Sequence, residues 1–561
     1  MPGRRKRPEY ETRDSIASVW GYRTPYSGEG QWPPRVDERE LAGAQHWVQS
    51  ACVLCSNGCG LDIGVKDGRI VGVRGRAGDH TSRGRLGPKG LHGWEANHSP
   101  DRLIRPLVRR HGELQEASWD EAMELVVERT RHIRDAHTGL ALAFYVGGQL
   151  FLEEYYTLAV IAFAGLGTPH LDASTRLSTA TASAALMESF GSDGQPGSYD
   201  DVDTTEAILL LGHNVAEQHT VLWMRILDRR RGPRSPRLVV IDPRTTLTAQ
   251  EADVHLVPRP GTNLAVMNGL LNLIVQAGRI DRAYVAAHTV GYERLRQALA
   301  AWTPERVEAV AGVPVDRLRA AAEILGSAPS LVSSVLQGAY QSTQATATAI
   351  QVNNLHLLRG LIGRPGCGIL HMSGQPAGRN ARETGCGGTF PGFRNWANPQ
   401  HVQALADLWN VDPQAIPAWG PPTPIMQILR QEGLFLVVHD AVLTETAQYA
   451  DVVLPAAMWA EKTGTYTSTD RTVHISHTAV SPPGQARADL DILLDYARRL
   501  DLRDRDGAPL IHWRDPEGAF EAWQACSRGR PSDYSGLPYA RRGASDGIQR
   551  PSTREFPAGA S

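Results

Sequence analysis

Residues 207–214 read Ala207-Ile-Leu-Leu-Leu-Gly212-His213-Asn214, five apolar residues that run straight into a glycine turn. A run this short and this continuously apolar suits a strand buried on both faces, and the residues beyond the turn, from near Glu217, suit a helix. The same unit recurs on either side. ALAFYV at 141–146 leads to Gly147 and Gly148 and then a helix from about Leu150. LVSSVLQ at 331–337 leads to Gly338 and a helix over about Thr343 to Leu361. Further strands are expected at 237–241 (RLVVI), 435–438 (FLVV) and 450–454 (ADVVL). Buried strands alternating with helices predict an α/β fold: two doubly wound, mostly parallel-sheet bodies covered on both faces.

Upstream, LDIGVKDGRIVGVRG (61–75) sets two alternating apolar runs around Asp67-Gly68, a hairpin signal. Ser118-Trp119-Asp120-Glu121 reads as a capping box opening a helix, with Ala122, Val126 and Ile133 on one face and Gly139 ending it. Residues 1–46 are rich in Arg, Pro and Gly and are expected to be an extended arm. Arg4, Arg5, Lys6 and Arg7 are followed by polar and acidic residues with no apolar core, so they read as a solvated tail, and a cytoplasmic protein is expected. Residues 503–561, rich in Arg, Gly, Ser, Pro and Asp, are expected to be an irregular tail.

The 561 residues suffice for three or four domains of about 150 residues each. At 42% hydrophobic and 21% charged the chain is an ordinary globular mixture, and its net charge of -2 gives no field that would favour nucleic acid or anionic lipid. No apolar run reaches the roughly 18 residues needed to span a bilayer.

Of 6 cysteines, three crowd into Cys52-Val-Leu-Cys55-Ser-Asn-Gly-Cys59, while Cys367, Cys386 and Cys526 are scattered. Such uneven use argues for a local metal or cluster site in a reducing compartment, not a disulfide framework. An iron–sulfur cluster normally takes four cysteine ligands; zinc completed by His80 or His92, or three unpaired core thiols, are the alternatives. Glycine turns at strand ends, followed by helix N-termini, suit pyrophosphate, but no G-x-G-x-x-G is present, which disfavours a nicotinamide site.

The run from Cys52 to Gly90, with DGRIVGVRG and Gly84-Arg-Leu-Gly-Pro-Lys89-Gly90, resembles the iron–sulfur domain of the molybdopterin oxidoreductases. That family includes assimilatory nitrate reductases, formate dehydrogenases and sulfoxide reductases. Gly212-His213-Asn214, Asp242-Pro243-Arg244, Gly261-Thr262-Asn263, Gly374-Gln375 with Asn380 and Arg382, Thr444-Glu445-Thr446, Asp451, and Glu461 with Gly464-Thr465 follow in the family's order. The branch resembled most is the assimilatory nitrate reductases.

The resemblance implies a molybdenum bis-molybdopterin guanine dinucleotide held by these residues with Gly147, Gly148 and Gln149. It implies a 4Fe-4S or 3Fe-4S cluster on Cys52, Cys55 and Cys59, and Lys89 set between cluster and pterin. Ser178 stands where the branch has a cysteine ligand to molybdenum, and Asn380 with Arg382 would attract an anion. The activity implied is oxygen-atom transfer in nitrate assimilation: nitrate is reduced to nitrite with electrons from a ferredoxin or flavin reductase subunit. Formate dehydrogenase, sulfoxide or N-oxide reductase activity, and a catalytically silent paralogue, are the alternatives.

Three departures accompany the resemblance. Gly87 occupies the place of a fourth cysteine ligand, Gln431-Glu432-Gly433 replaces a longer pterin-contacting segment, and the C-terminal β-barrel is expected to be absent. The boundaries expected are an arm at 1–46, an iron–sulfur module at 47–110, a pterin-binding α/β domain from 111–175 and 335–502, an inserted dinucleotide-binding α/β domain at 176–334, and the tail.

Overall fold

The computed structural model describes residues 12–13, 23–27, 31–417, 433–537, 539 and 546–552. The basic start at Arg4 to Arg7 and the junction residues Gln431 and Glu432 lie outside them. Five strands form the first module: β1 (Thr12–Arg13), β2 (Val36–Glu40), β3 (His46–Ala51), β4 (Gly60–Lys66) and β5 (Arg69–Gly75), in the order β1-β2-β5-β4-β3. Asp67 and Gly68, with φ of 51° and 72°, make the tight turn between β4 and β5 that their sequence predicts.

The expected arm does not extend to residue 46. β2 pairs antiparallel with β5, and Trp32 is buried, its indole N–H donated to Asp228 at 3.0 Å and the Arg85 guanidinium 3.8 Å over its ring. One tryptophan thus anchors a segment whose Arg-, Pro- and Gly-rich composition conceals it.

A hairpin of β6 (Leu107–Arg110) and β7 (Glu113–Glu116) precedes the helix Trp119–His137. Ser118 caps that helix, its hydroxyl accepting from Glu121 N at 3.2 Å, and the helix ends at Thr138, one residue before Gly139. β8 (Phe144–Val146) and β9 (Leu171–Ala173) pair in parallel around the buried helix Leu152–Val160, and helix Ser174–Phe190 follows β9 directly.

The largest body is a parallel sheet of β10 (Ala207–Leu211), β11 (Arg237–Ile241), β12 (Val254–Leu256), β13 (Leu331–Val335) and β14 (Gly368–His371), ordered β12-β11-β10-β13-β14. Every residue of β10 and β13 is buried, as continuous apolar strands require. The winding reverses between β10 and β13, and folds of this kind bind ligands beyond the carboxyl ends of the strands at that switch. The sheet oversteps the boundary expected at 334: β13 straddles it and β14 forms the far edge. β14 is four residues long and begins at a glycine, so its sequence reads as loop.

β15 (Val437–Asp440) and β16 (Val452–Pro455) pair in parallel, and β16 runs antiparallel to β6 in the order β15-β16-β6-β7. β17 (Gly464–Thr467), β18 (Thr472–Ser476) and β19 (Ile548–Gln549) make a small antiparallel sheet.

The stretch from 503 is not irregular throughout. Asp515 caps a helix, Pro516–Ser527, by accepting from Gly518 N at 2.8 Å, and Phe520, Trp523 and Cys526 are buried in the core beside helix Leu152–Val160. Aspartate followed by proline at the first helical position is the local signal, hidden in a polar composition. Among the described residues after Ser476, β19 is the one strand, and nothing closes into a barrel. No helix among the described residues is long and apolar enough to cross a membrane.

Candidate functional site

Pairing of β3 with β4 sets Ala51 opposite Gly60, so residues 52–59 form the hairpin loop, closed by Cys52 N donating to Cys59 O at 2.8 Å. All three thiols are buried, and Asn57 donates a side-chain N–H to Cys59 Sγ at 3.1 Å. Burial, with Cys55 adding to it, pushes the Cys52 thiol up to about 12; burial raises Cys55 and Cys59 too. Thiols so placed keep their protons until a metal displaces them. Among the described residues no three His, Cys, Asp or Glu side chains converge as the ligands of a single ion do. His80 lies 3.5 Å from both Asp200 and Asp470, and His92 pairs with Glu95 at 2.8 Å, so both candidate zinc ligands are otherwise engaged. Three buried thiols on one hairpin loop are the kind of donor that iron–sulfur clusters take. Lys89 is exposed, with its charge felt at Cys52 and Cys55 and Nζ 3.4 Å from Gln218 O.

A buried chain of side chains leads from this loop to the central sheet. His219 Nε2 lies 3.1 Å from Ser373 O, a pure acceptor, so the proton sits on Nε2. Its Nδ1 then accepts from His213 Nε2 at 2.9 Å, and His213 Nδ1 accepts from the Ser334 hydroxyl at 2.8 Å. Ser56, inside the cysteine loop, donates its hydroxyl to the same Ser373 carbonyl and stands 3.1 Å from His219 Nε2. His213 was expected among the dinucleotide contacts; His219, Ser56 and Ser373 escaped sequence reasoning, and the His-x5-His spacing was the one signal available.

At the carboxyl edge of the central sheet the expected turns come together. Gly212 (φ 58°) presses on Gly338 across the switch: a Cβ on Gly212 would lie 2.4 Å from Ala339 N, and Gly338 N donates to Gly212 O at 2.9 Å. Backbone contact, not room for a phosphate, demands glycine here. Asn214 accepts from Thr248 Oγ1 at 2.8 Å. Asp242 accepts from Arg244 N at 2.8 Å, and Pro243 and Arg244 are exposed. Gly261 (φ 85°) has open space where a Cβ would be, and Thr262 and Asn263 lead into the helix Asn263–Gln276, with Asn263 Nδ2 donating to Gly338 O at 3.1 Å. An open glycine turn before a helix N-terminus is a cradle that fits a pyrophosphate.

A second group of expected residues meets at the start of helix Ser174–Phe190. Ser174 Oγ donates to Gln375 Oε1 at 2.8 Å, Gln375 fills the place of a side chain on Gly148, and Ala377 N donates to Gly148 O at 2.9 Å. Gly147 and Gln149 are exposed, and Gly374 lies beside Gln337. One turn into the helix, Ser178 is half-buried, with its hydroxyl donated to Thr175 O at 3.2 Å. Leu177 beside it is 70% exposed, apolar surface left uncovered on the same turn.

Asn380 and Arg382 lie behind this face, in the interior. Arg382 Nε donates to Asp193 Oδ2 at 2.7 Å and Nη1 to Thr179 Oγ1 at 3.2 Å, while Arg379 lies 3.6 Å from Asp193. Asn380 donates to Glu383 and Thr467 and accepts from Thr467 N at 2.8 Å. Glu383 is held by the Tyr534 hydroxyl at 2.6 Å and by Arg550 at 2.7 Å. Both residues are committed to protein partners, which is the geometry of a support and not of an open anion cradle.

The remaining expected residues are spread over the second body. Glu461 binds Arg102 at 2.6 Å and 2.7 Å, Asp451 accepts from Leu436 N at 2.7 Å, Gly464 packs on Phe151, and Thr465 donates its hydroxyl to Glu153 at 2.8 Å. Thr444 caps the turn Ala447–Tyr449 by accepting from Ala447 N at 3.3 Å, with Glu445 and Thr446 exposed next to it.

A cysteine hairpin joined through buried histidines to a parallel sheet with an open glycine turn at its carboxyl edge is the arrangement of a metal-and-nucleotide-type cofactor protein. The Molybdopterin oxidoreductase family model matches residues 102–499, and the Molybdopterin oxidoreductase Fe4S4 domain model matches residues 45–99; the chain belongs to the molybdopterin oxidoreductase family, with the molybdopterin and 4Fe-4S cofactors those domains carry. It is 32% identical to a nitrate reductase of Synechocystis sp., over 88% of this chain and 74% of that protein. It is 30% identical to the F420-dependent formate dehydrogenase subunit alpha of Methanocaldococcus jannaschii, over 91% of this chain and 77% of that protein. Acetylene hydratase from Pelobacter acetylenicus shares the fold, with a TM-score of 0.67 at 19% identity over 89% of this chain and 73% of that one.

Proposed function

We propose that the chain is the molybdenum-bearing catalytic chain of a nitrate reductase of assimilatory, cytoplasmic type. The observation that carries this reading is the likeness to nitrate reductases, 32% identical over most of the chain; Ser178, half-buried beside Leu177 where that branch has a cysteine, has its hydroxyl bonded within its own helix. The oxygen can turn from Thr175 O to a metal without breaking any contact between elements. Bound molybdenum would supply two-electron oxygen-atom exchange with an oxyanion. The protein's part is to hold the pyrophosphates at Gly261, Thr262 and Asn263 and to offer Ser178 as an oxygen ligand. Lys89 keeps a positive charge beside Cys52 and Cys55, toward electrons delivered by a ferredoxin or flavin reductase subunit. Arg382 and Asn380 serve here as supports of the interior, through Asp193 and Thr179 and through Glu383 and Thr467.

The test is molybdenum content and nitrite formation by the anaerobically purified chain with a reduced viologen, for wild type, Ser178→Ala and Ser178→Cys. Molybdenum near one per chain, nitrite formed, and turnover reduced in Ser178→Ala are expected. A serine oxygen as ligand also favours a second reading on the same site, sulfoxide or N-oxide reduction; molybdenum without nitrite but with either of those activities selects it. A folded chain without molybdenum removes both readings.

A further inference from the structure

The Fe4S4 domain match spans residues 45–99, and that span contains only three cysteines. The other three thiols are placed elsewhere: Cys367 belongs to the core around the central sheet, and Cys386 and Cys526 to the core around helices Leu152–Val160 and Pro516–Ser527. Neither core is the one that contains Cys52 and Cys59. A cubane presents four irons, each needing an outer ligand. We infer that the cluster of this chain is site-differentiated: Cys52, Cys55 and Cys59 hold three irons, and the fourth has no thiolate and is labile.

The segment packed on the loop shows what stands in for the missing ligand. A Cβ on Gly90 would lie 3.8 Å from Cys52 Sγ, and the charge of Lys89 reaches Cys52 and Cys55, so the turn around residues 87–90 borders the cluster site. Gly87 brings no side chain to that border. A Cβ there would meet Thr220, 3.2 Å from its Cβ and 3.7 Å from its Oγ1, and the Thr220 hydroxyl is itself donated to Ala216 O at 3.4 Å. A cluster iron takes soft thiolate, and the hard oxygen of a neutral threonine alcohol is a poor replacement for it.

An iron without a thiolate is the one lost on oxidation. The dipositive four-iron cluster releases one ferrous ion and passes one electron to a one-electron oxidant such as ferricyanide. What remains is the monopositive three-iron cluster with all its sulfides. The inference follows from the cysteine count and the cluster, and it stands whatever the substrate.

The experiment is a ferricyanide titration of the reconstituted full chain, followed by iron and sulfide analysis and low-temperature EPR. The wild type is expected to lose one iron per cluster at constant sulfide, to gain the half-integer-spin signal of an oxidised three-iron cluster, and to recover on adding ferrous ion together with a one-electron reductant such as dithionite. Gly87→Ala, which adds volume without a ligand, should behave as wild type. Gly87→Cys, for which Thr220 need give only a few tenths of an ångström, should keep its fourth iron through the same titration. A wild-type cluster that retains every iron, or a reconstituted chain that binds neither iron nor sulfide, overturns the inference even if Gly87→Cys does not fold. Nitrate turnover enters none of these readouts, so the inference and the proposed function fail separately.

Discussion

His213 and His219 face each other across 2.9 Å, both fully buried, and the direction of every proton between Ser334 and Ser373 is fixed by the carbonyl at one end. Burial holds His213 well below the usual imidazole range and lowers His219 to about 3, with Lys89 contributing, so both rings are neutral links. Ser56 of the cysteine loop and His219 therefore share one acceptor, Ser373 O, next to Gly374.

His219→Ala strands the His213 N–H in the interior, at a cost of about 1–3 kcal/mol. The expected result is a lower urea midpoint with an unchanged slope, and a lower iron yield on reconstitution. His219→Asn, which retains a donor and an acceptor, should recover part of both. An alanine variant as stable as wild type would show the chain to be incidental.

Asp193→Asn leaves Arg382 and Arg379 as buried cations without their carboxylate. Removing one side of a buried pair typically costs about 3–5 kcal/mol. The double variant Asp193→Asn with Arg382→Met should be less destabilised than the sum of the two single ones, measured as a double-mutant cycle in denaturant. Additive effects would mean that the two residues do not interact.

Gly212→Ala forces a Cβ against the backbone of residues 338 and 339 at a left-handed φ of 58°. Strain of that kind costs about 1–3 kcal/mol, and it falls at the switch between β10 and β13. A fall in melting temperature is expected, larger than for Gly261→Ala, where the space is open. Equal effects would remove the argument from close backbone approach.

Burial lifts Asp201 to about 6, against the Ser198 and Gly366 N–H groups that pull it down. The folded chain therefore binds this proton more tightly than the unfolded chain. Its stabilising contribution is full below the unfolded carboxylate value of about 3.9 and is lost as pH rises through about 6. Relative to Asp201→Asn, the wild type should lose stability from about pH 4 to about pH 7. Urea midpoints at both ends check this, and a constant difference would contradict it.

The long buried strands were legible because continuous apolar runs ending in glycine have few other readings. β12 and β14 were not, since three or four residues containing His255 or Gly368 carry too little pattern. The helix Pro516–Ser527 was masked by the charge and glycine around it, although Asp515 and Pro516 mark its start. In the site, the glycine turns were readable as turns, but not which of them faces a ligand: Gly261 is open while Gly212 is pressed on backbone. Arg382 looked available because its partner Asp193 lies 189 residues away, and pairing at that distance leaves no trace in local sequence.

Arg550 and Tyr534 close on Glu383, behind the Gly374 and Gln375 loop. During synthesis Glu383 is made long before Tyr534 and Arg550, so the nascent chain carries this carboxylate without its cation until both have followed.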